Sequence, residues 1–162
     1  SRWQMLDGDV LRWRFSHGAD VRFLDQVFDL RLAVEPLAAR RAATEHVEAD
    51  LAGLTEALRA MRSAASPEEH IAADLSFHRA VLRAAHNELL ESLAPLVEGG
   101  LRERDRLVHA AITADAVQEH AAVVAAIGRR DGAAAEAAMR ALLSRSAADV
   151  TRAMTSVAGE QV

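Results

Sequence analysis

The amino-acid sequence predicts an all-α fold, an antiparallel bundle of six to seven helices. Apolar residues recur at helical spacing along almost the whole chain, and no stretch alternates in the way of a half-buried strand. Only three prolines interrupt the 162 residues, and apolar residues make up 51% of them, enough for a substantial core. Because the segments between the predicted helices are short, we expect neighbouring helices to run antiparallel with their apolar faces inward.

Four helices are predicted in the first half of the chain. The segment "DGDVLRWRF" suits one or two helical turns, and a long helix follows over about 20–45, with a kink predicted at Pro36. A third helix covers about 47–64, where leucines and a methionine recur at helical spacing. The fourth starts at "SPEE", because Ser66 suits the N-cap and a proline suits the first helical position, and it ends near His86.

Three helices are predicted in the second half. The first begins near Asn87, and the "GG" at 99–100 inside it predicts a bend or break. The next ends at Gly128, and the last begins at Asp131, whose side chain suits the N-cap, and runs to about residue 155. The closing "SVAGEQV" is expected to be frayed.

The composition excludes several classes of protein. The formal net charge is −5, and the 19 basic residues, all of them arginine, are scattered, so we expect no basic face for binding nucleic acid. Without cysteine the chain has neither a disulfide framework nor a thiolate zinc site. No apolar run approaches the roughly 18 residues of a membrane span and no signal peptide opens the chain, so we expect a soluble, cytoplasmic protein with no membrane partner.

The stretch "ADLSFHRAVLRAAHN" carries the first candidate site residues. Asp74 and His78 are one turn apart on the same helix face, and His120, in "QEHAAVV", is on another helix. Bundles build metal sites from side chains on facing helices, and a carboxylate with two imidazoles suits Zn²⁺, Ni²⁺, Mn²⁺ or Fe²⁺. The alternative is an Asp–His hydrogen bond that joins helices, with His120 on the surface. His70, one turn before Asp74, is expected to be solvated.

Arg31 and Asn87 are candidate ligand-binding residues. Arg31 lies beside the apolar face of the long helix, where a guanidinium could clamp a carboxylate; alternatively it forms an ordinary ion pair with Glu35. Asn87 could hydrogen-bond a ligand or simply cap the next helix. The sequence contains no motif of a serine, cysteine or zinc hydrolase and no phosphate-binding loop, so we do not expect an enzyme.

Four segments occur in an order that resembles one family. They are "LDGDVLRWRF", "DLRLAVEPLAARRAA", "ADLSFHRAVLRAAHNELL" and "QEHAAVVAAIGRRDGAAAEAAMRAL". Together they resemble the effector-binding (FCD) domain of FadR-branch GntR transcription regulators. The first is similar to "LDPDVLRW" in galactonate-type repressors of sugar-acid operons, with Gly8 in place of proline. The resemblance implies a homodimeric helical bundle at 19–156, between an N-terminal segment at 1–18 and a flexible tail at 157–162. A winged-helix DNA-binding domain, absent from this chain, is expected to precede it.

The resemblance also implies roles for the candidate residues. In the family, the Asp and His of a D-x-x-x-H motif and two later histidines hold a metal ion. Asp74, His78 and His120 match the first three positions, whereas Leu142 stands where the fourth is histidine. Two alternatives follow: a three-ligand site whose open position is filled by water or a carboxylate effector, or an effector pocket without metal. Arg31 matches an arginine that lines the effector pocket.

The leading functional hypothesis is therefore a sensory domain. It would bind a small carboxylate, with a sugar acid as the first candidate, between Arg31, Asn87 and the Asp74/His78/His120 set, and so control DNA binding by a separate winged-helix domain. Two alternatives stay open. One is a metal-dependent enzyme on a helical bundle, for which no general base is evident, and the other is a module that acts only by dimerising.

Overall fold

The computed structural model describes residues 7–16, 21–108 and 114–159. In these ranges every regular element is an α-helix, in the order α1 Gly8–Ser16, α2 Val21–Glu45, α3 Glu48–Ser63, α4 Pro67–Ala84, α5 Glu88–Glu91, α6 Ala94–Val108, α7 Ala114–Gly128 and α8 Gly132–Gly159. The helix α5 is a single turn of 4 residues, whereas α1, the shortest of the others, has 9. The predicted all-α class with six to seven long helices is confirmed for the part of the chain that is described.

Side-chain caps begin two of the helices where the sequence predicts them. Ser66 Oγ accepts a hydrogen bond from the Glu69 backbone N–H at 3.2 Å, and the Glu69 carboxylate accepts one from the Ala65 N–H at 2.8 Å. Asp131 Oδ1 accepts a bond from the Ala134 N–H at 2.9 Å at the start of α8. The cap at Ser66 fixes the register of α4 and therefore determines which of its side chains face the core.

The predicted break at the double glycine is wrong. The chain turns instead at 92–93, between α5 and α6, and both glycines lie inside α6. Their role is close packing, because a Cβ on Gly100 would lie 2.6 Å from Val27 Cγ1, and a Cβ on Gly99 would overlap the Phe15 ring. The absence of side chains at these positions lets α1 and α2 approach the backbone of α6.

Two other helix boundaries refine the sequence prediction. The helix α2 continues through Pro36 to Glu45, so the proline does not end it, and the kink stays a prediction. The helix α8 extends to Gly159, past the predicted end near residue 155, so the first residues of the predicted tail are helical. None of the helices in the described ranges is long and apolar enough to cross a membrane.

The core lies between α2, α3, α4, α7 and α8. Four alanines of α2 are completely buried, which allows close packing against α8; they are Ala38, Ala39, Ala42 and Ala43. The large buried side chains of the core come from the other four helices and include Leu54, Phe77, Ile127, Met139 and Leu143. A smaller apolar cluster, Leu11, Phe23, Val27 and Leu96, joins α1 and the start of α2 to α6. The helix α4 packs against α3, α2 and α6.

The glycine pair provides a test of the packing between α2 and α6. We expect Gly100→Ala to lower the free energy of unfolding by about 1–2 kcal/mol, because overpacking against Val27 costs more than the gain in helix propensity. Gly53→Ala is the matched control, since its Cβ would meet only the end of the flexible Arg83 side chain, at 3.2 Å. Urea unfolding monitored by circular dichroism measures both, and a Gly100→Ala variant as stable as the control would contradict the packing argument.

Candidate metal centre

Three polar side chains of α4 lie in a row on its buried face. His70, Asp74 and His78 follow one another at intervals of four residues and are 6%, 1% and 0% exposed. The prediction that His70 is solvated is wrong. The helix α6 packs against α4 and brings Asp105 close enough to His70 to affect its pKa, so the first turn of α4 has a covered face, which His70 shares with Asp74.

His120 of α7 joins Asp74 and His78 in the interior. It is 5% exposed, and its Nε2 lies 2.8 Å from Asp74 Oδ1, while His78 Nε2 lies 3.6 Å from the same oxygen. One ligand atom from each of the three residues lies within 4.8 Å of the others. The buried Phe77 ring makes edge contacts with both imidazoles, with ring centroids 5.2 Å from His78 and 4.7 Å from His120. The three residues predicted from sequence therefore meet, and we call them the Asp–His–His cluster.

Both histidines of the cluster have their Nδ1 atoms bound to oxygen acceptors. Nδ1 of His78 donates to Glu35 Oε2, and Nδ1 of His120 donates to the Ala116 carbonyl oxygen at 2.7 Å. Because these acceptors carry no proton, each Nδ1 must carry one, which leaves Nε2 as the ring atom that a metal ion can bind once any proton there is released. Both Nε2 atoms point to Asp74, which is the orientation that metal-binding histidines need.

The electrostatics of the cluster favour a cation at its centre. Asp74 Oδ2 and His78 Nε2 are buried without a hydrogen-bond partner. Burial raises the pKa of Asp74, but the His120 hydrogen bond and the His78 charge outweigh it and hold the pKa well below its usual range. Burial lowers the pKa of His78, yet the Glu35 and Asp74 charges outweigh it and raise that pKa. A divalent metal bound at Nε2 of His78 would have to displace any proton held there. The donor set fits such an ion.

Glu35 supports the cluster from α2. Its carboxylate is fully buried, accepts a hydrogen bond from Arg31 Nε at 2.6 Å and accepts the His78 Nδ1–H. Burial raises the pKa of Glu35, but Arg31 and His78 together outweigh burial and bring the pKa to about 2. The sequence shows that Arg31 and Glu35 are four residues apart and could pair. It does not show that the second partner of Glu35 is His78, which is 43 residues away.

The helix α6 places two further polar residues beside Asp74 that sequence reasoning missed. Arg104 Nη2 lies 3.5 Å from Asp74 Oδ2, and the same guanidinium donates to Asp105 Oδ1 from Nε at 2.8 Å and to Ser146 Oγ of α8 at 3.0 Å. Leu142 is buried one turn before Ser146 and so shares its face of α8. Position 142, which the family resemblance matches to a fourth histidine, is therefore apolar and buried on the face of α8 that carries the Arg104-bound Ser146.

The two predicted ligand-binding residues are engaged in intramolecular bonds. Arg31 pairs with Glu35 and touches the cluster only through that carboxylate, and its Nη2 is buried without a hydrogen-bond partner. Asn87 is the N-cap of α5, and its Oδ1 accepts bonds from the Leu89 and Leu90 N–H groups at 3.0 and 3.2 Å. Among the described contacts, none connects Asn87 with the Asp–His–His cluster.

Comparison with known protein families identifies the region of the chain that contains these residues. The family model described as the FCD domain matches residues 26–145, which include every residue of the cluster and Glu35. The chain belongs to the FCD domain family. The predicted resemblance to the FCD domain is thereby confirmed: three of the four segments lie within the match, which also includes position 142, where leucine stands.

Two curated relatives carry regulatory names. The chain is 34% identical over 150 residues to the galactonate operon transcriptional repressor of Escherichia coli (strain K12), covering 90% of this chain and 66% of the relative. It is 30% identical over 149 residues to the HTH-type transcriptional regulator YieP of the same organism, covering 88% of this chain and 63% of that protein. The chain thus spans just under two thirds of these FCD proteins. Both are named as transcription regulators and neither as an enzyme, in agreement with the expectation for this chain.

A solved structure supports the fold. The Streptococcus agalactiae GntR structure matches with a TM-score of 0.67 at 24% identity, over 81% of this chain and 61% of that chain. At this identity the likeness shows a shared helical architecture and no more.

Proposed function

We propose that this FCD domain is the effector-binding part of a GntR-type transcription regulator and holds a divalent metal ion with Asp74, His78 and His120. The observation that carries the proposal is the meeting of two imidazole Nε2 atoms and a carboxylate oxygen, within 4.8 Å of one another, in the interior of the bundle. Zn²⁺, Ni²⁺ and Mn²⁺ all accept this donor set. A buried polar cluster with unpartnered atoms is costly for stability, which favours a ligand-binding role over a purely structural one.

The chemistry of the effector follows from the number of protein ligands. Three ligands leave at least one coordination position on the ion, and the apolar Leu142 cannot supply a fourth donor. A carboxylate from a small molecule suits that position, and the Arg104 guanidinium beside Asp74 favours an anion there. The name of the galactonate operon repressor makes sugar acids the first candidates. Arg31 keeps a supporting role through Glu35, and no described contact links Asn87 to the Asp–His–His cluster.

Control of transcription needs a DNA-binding domain as well as this FCD domain. We infer that a winged-helix domain elsewhere in the protein binds DNA, since this chain carries a net charge of −5 and its arginines are scattered along the sequence. We also infer that the FCD domain forms a homodimer, as the family resemblance implies. The effector would shift the population between two arrangements of the dimer. It does so only if its affinity for the two arrangements differs.

The test is calorimetry with and without metal. The chain is stripped with EDTA, half of it is reloaded with zinc, and both samples are titrated with galactonate and other small carboxylates. We expect saturable binding of at least one acid to the zinc-loaded chain and none, or at least about 10-fold weaker binding, to the stripped chain. Equal binding to both samples would contradict the role of the metal, and no binding to zinc-loaded, folded protein would contradict the effector site.

A further inference from the structure

Two polar atoms next to the Asp–His–His cluster have no partner in the protein. They are His70 Nδ1 and Asp105 Oδ2, on residues that are 6% and 4% exposed. Neither belongs to the group of potential metal ligands, so a metal bound by Asp74, His78 and His120 leaves both unsatisfied. Buried polar groups in folded proteins almost always have a hydrogen-bond partner, which means that something other than the described protein atoms satisfies this pair.

The two residues lie in one neighbourhood although they are on different helices. His70 is on α4 and Asp105 is on α6. The charge of Asp105 acts to raise the pKa of His70, and the charge of His70 acts to lower the pKa of Asp105. The charge of Asp74 acts to raise the pKa of both residues, and the charge of Arg104 acts to lower it. The pair therefore borders the metal centre on the side where Arg104 approaches Asp74.

Arg104 holds Asp105 so that one oxygen stays free. The guanidinium binds Oδ1 of Asp105 through Nε and Nη2, and its Nη1 is fixed by Ser146 Oγ. Oδ2 of Asp105 is left without a hydrogen-bond donor and accepts whatever donor enters. Arg104 acts here as a positioning residue, and it also offsets part of the negative charge that Asp74 and Asp105 place close together.

The chemistry of the pair selects a particular kind of ligand group. Burial lowers the pKa of His70 and outweighs Asp74 and Asp105, so the ring is neutral near pH 7 and offers one donor and one acceptor. A carboxylate oxygen offers only acceptors. A hydroxyl group can donate to the carboxylate and can either donate to or accept from Nδ1 of the imidazole, whereas an alkyl chain satisfies neither residue and a second carboxylate is repelled by Asp105.

We propose that His70 and Asp105 form a hydroxyl-binding subsite beside the metal centre, which makes the effector a polyhydroxylated monocarboxylate and excludes fatty acids and dicarboxylates. This inference rests on the proposed function, because it assigns the part of the effector that lies beyond the carboxylate. His70 and Asp105 contact the hydroxyl groups, and Arg104 positions Asp105.

The test uses three acids with the same carbon count. The zinc-loaded chain is titrated by calorimetry with gluconate, hexanoate and adipate, which differ only in their hydroxyl and second carboxylate groups. We expect gluconate to bind at least about 10-fold more tightly than either of the others, since a site built for hydroxyl groups rejects analogues that lack them. In His70→Leu and Asp105→Leu this preference should fall to within about 3-fold, with hexanoate affinity unchanged.

Controls separate the subsite from general damage. Asp25→Leu, at an exposed position of α2, should keep the wild-type preference, and Asp105→Asn, which retains hydrogen-bonding capacity, should keep part of it. Zinc content and the circular dichroism spectrum of each variant report whether the metal centre and fold persist. Equal affinity for gluconate and hexanoate, tighter binding of adipate, or a preference that survives both leucine variants would overturn the subsite while leaving carboxylate binding intact. Binding of none of the three acids would count against the proposed function itself.

Discussion

Replacing Asp74 with alanine is expected to abolish metal binding by this domain. Asp74 is the only anionic member of the Asp–His–His cluster, and its Oδ1 is the oxygen that both Nε2 atoms approach. Removing one of three ligands should lower zinc affinity by more than about 100-fold, since changes outside the ligand set alone cost 10–100-fold. Elemental mass spectrometry after zinc loading and desalting measures this, with near-stoichiometric zinc expected in the unmodified chain and none in the variant.

The matched control for Asp74→Ala is Asp115→Ala. Asp115 is also a helical aspartate, but its side chain is 81% exposed and 4.0 Å from Arg145, so its loss should leave the zinc content unchanged. Asp74→Asn is a useful companion, because it keeps the volume of the side chain and removes only its charge. Full zinc occupancy in Asp74→Ala would show that the metal binds elsewhere in the protein.

Adding a histidine at position 142 should strengthen metal binding. Leu142→His places an imidazole on the face of α8 that carries Ser146, toward the open side of the cluster. We expect zinc affinity to rise by at least about 10-fold, and the carboxylate effector to bind less tightly because its coordination position is taken. An unchanged affinity would mean that the side chain at 142 does not reach the ion.

The second large effect is expected at Glu35. Glu35→Leu leaves Arg31 as a buried, uncompensated charge and removes the acceptor of His78 Nδ1. Breaking a buried ion pair in this way costs about 3–5 kcal/mol, a large part of the 5–15 kcal/mol that stabilises a typical domain. Urea unfolding should show a strongly reduced midpoint. The exposed pair of Glu56 and Arg59 is the control, and Glu56→Ala should have no measurable effect.

A double variant separates the two roles of Glu35. Arg31→Met with Glu35→Leu removes both charges and fills their space with apolar atoms, so much of the lost stability should return. Zinc affinity should nevertheless stay about 10–100-fold low, because His78 still lacks the carboxylate that orients its ring. If stability and zinc affinity recovered together, Glu35 would act on the metal centre only through the packing of the fold.

Local sequence signals predicted those parts of the molecule that depend on near neighbours in the chain. The start of α4 follows from Ser66 and the proline after it, and the shared face of Asp74 and His78 follows from their spacing of four. His120 was a candidate because bundles build metal sites from facing helices, the family resemblance implied the same role, and its Nε2 lies 2.8 Å from Asp74 Oδ1.

The residues that sequence reasoning missed are those whose role depends on another helix. Whether His70 is solvated depends on the cover that α6 gives to the first turn of α4, which periodicity within α4 does not reveal. Asp105 and Arg104 look like part of an ordinary charged stretch, "RERDR", until Asp74 is placed beside them. The double glycine signals either a break or a close approach, and only the positions of Phe15 and Val27 decide between these.

The contact between α1 and α6 has a practical spectroscopic consequence. The chain has two tryptophans, Trp3 and Trp13, and no tyrosine, so its tryptophan fluorescence comes entirely from the first 13 residues. Trp13 lies on α1, which packs on the helix that carries Arg104 and Asp105. A change in that fluorescence on adding an effector therefore reports a change around this N-terminal segment, and does so without a dye.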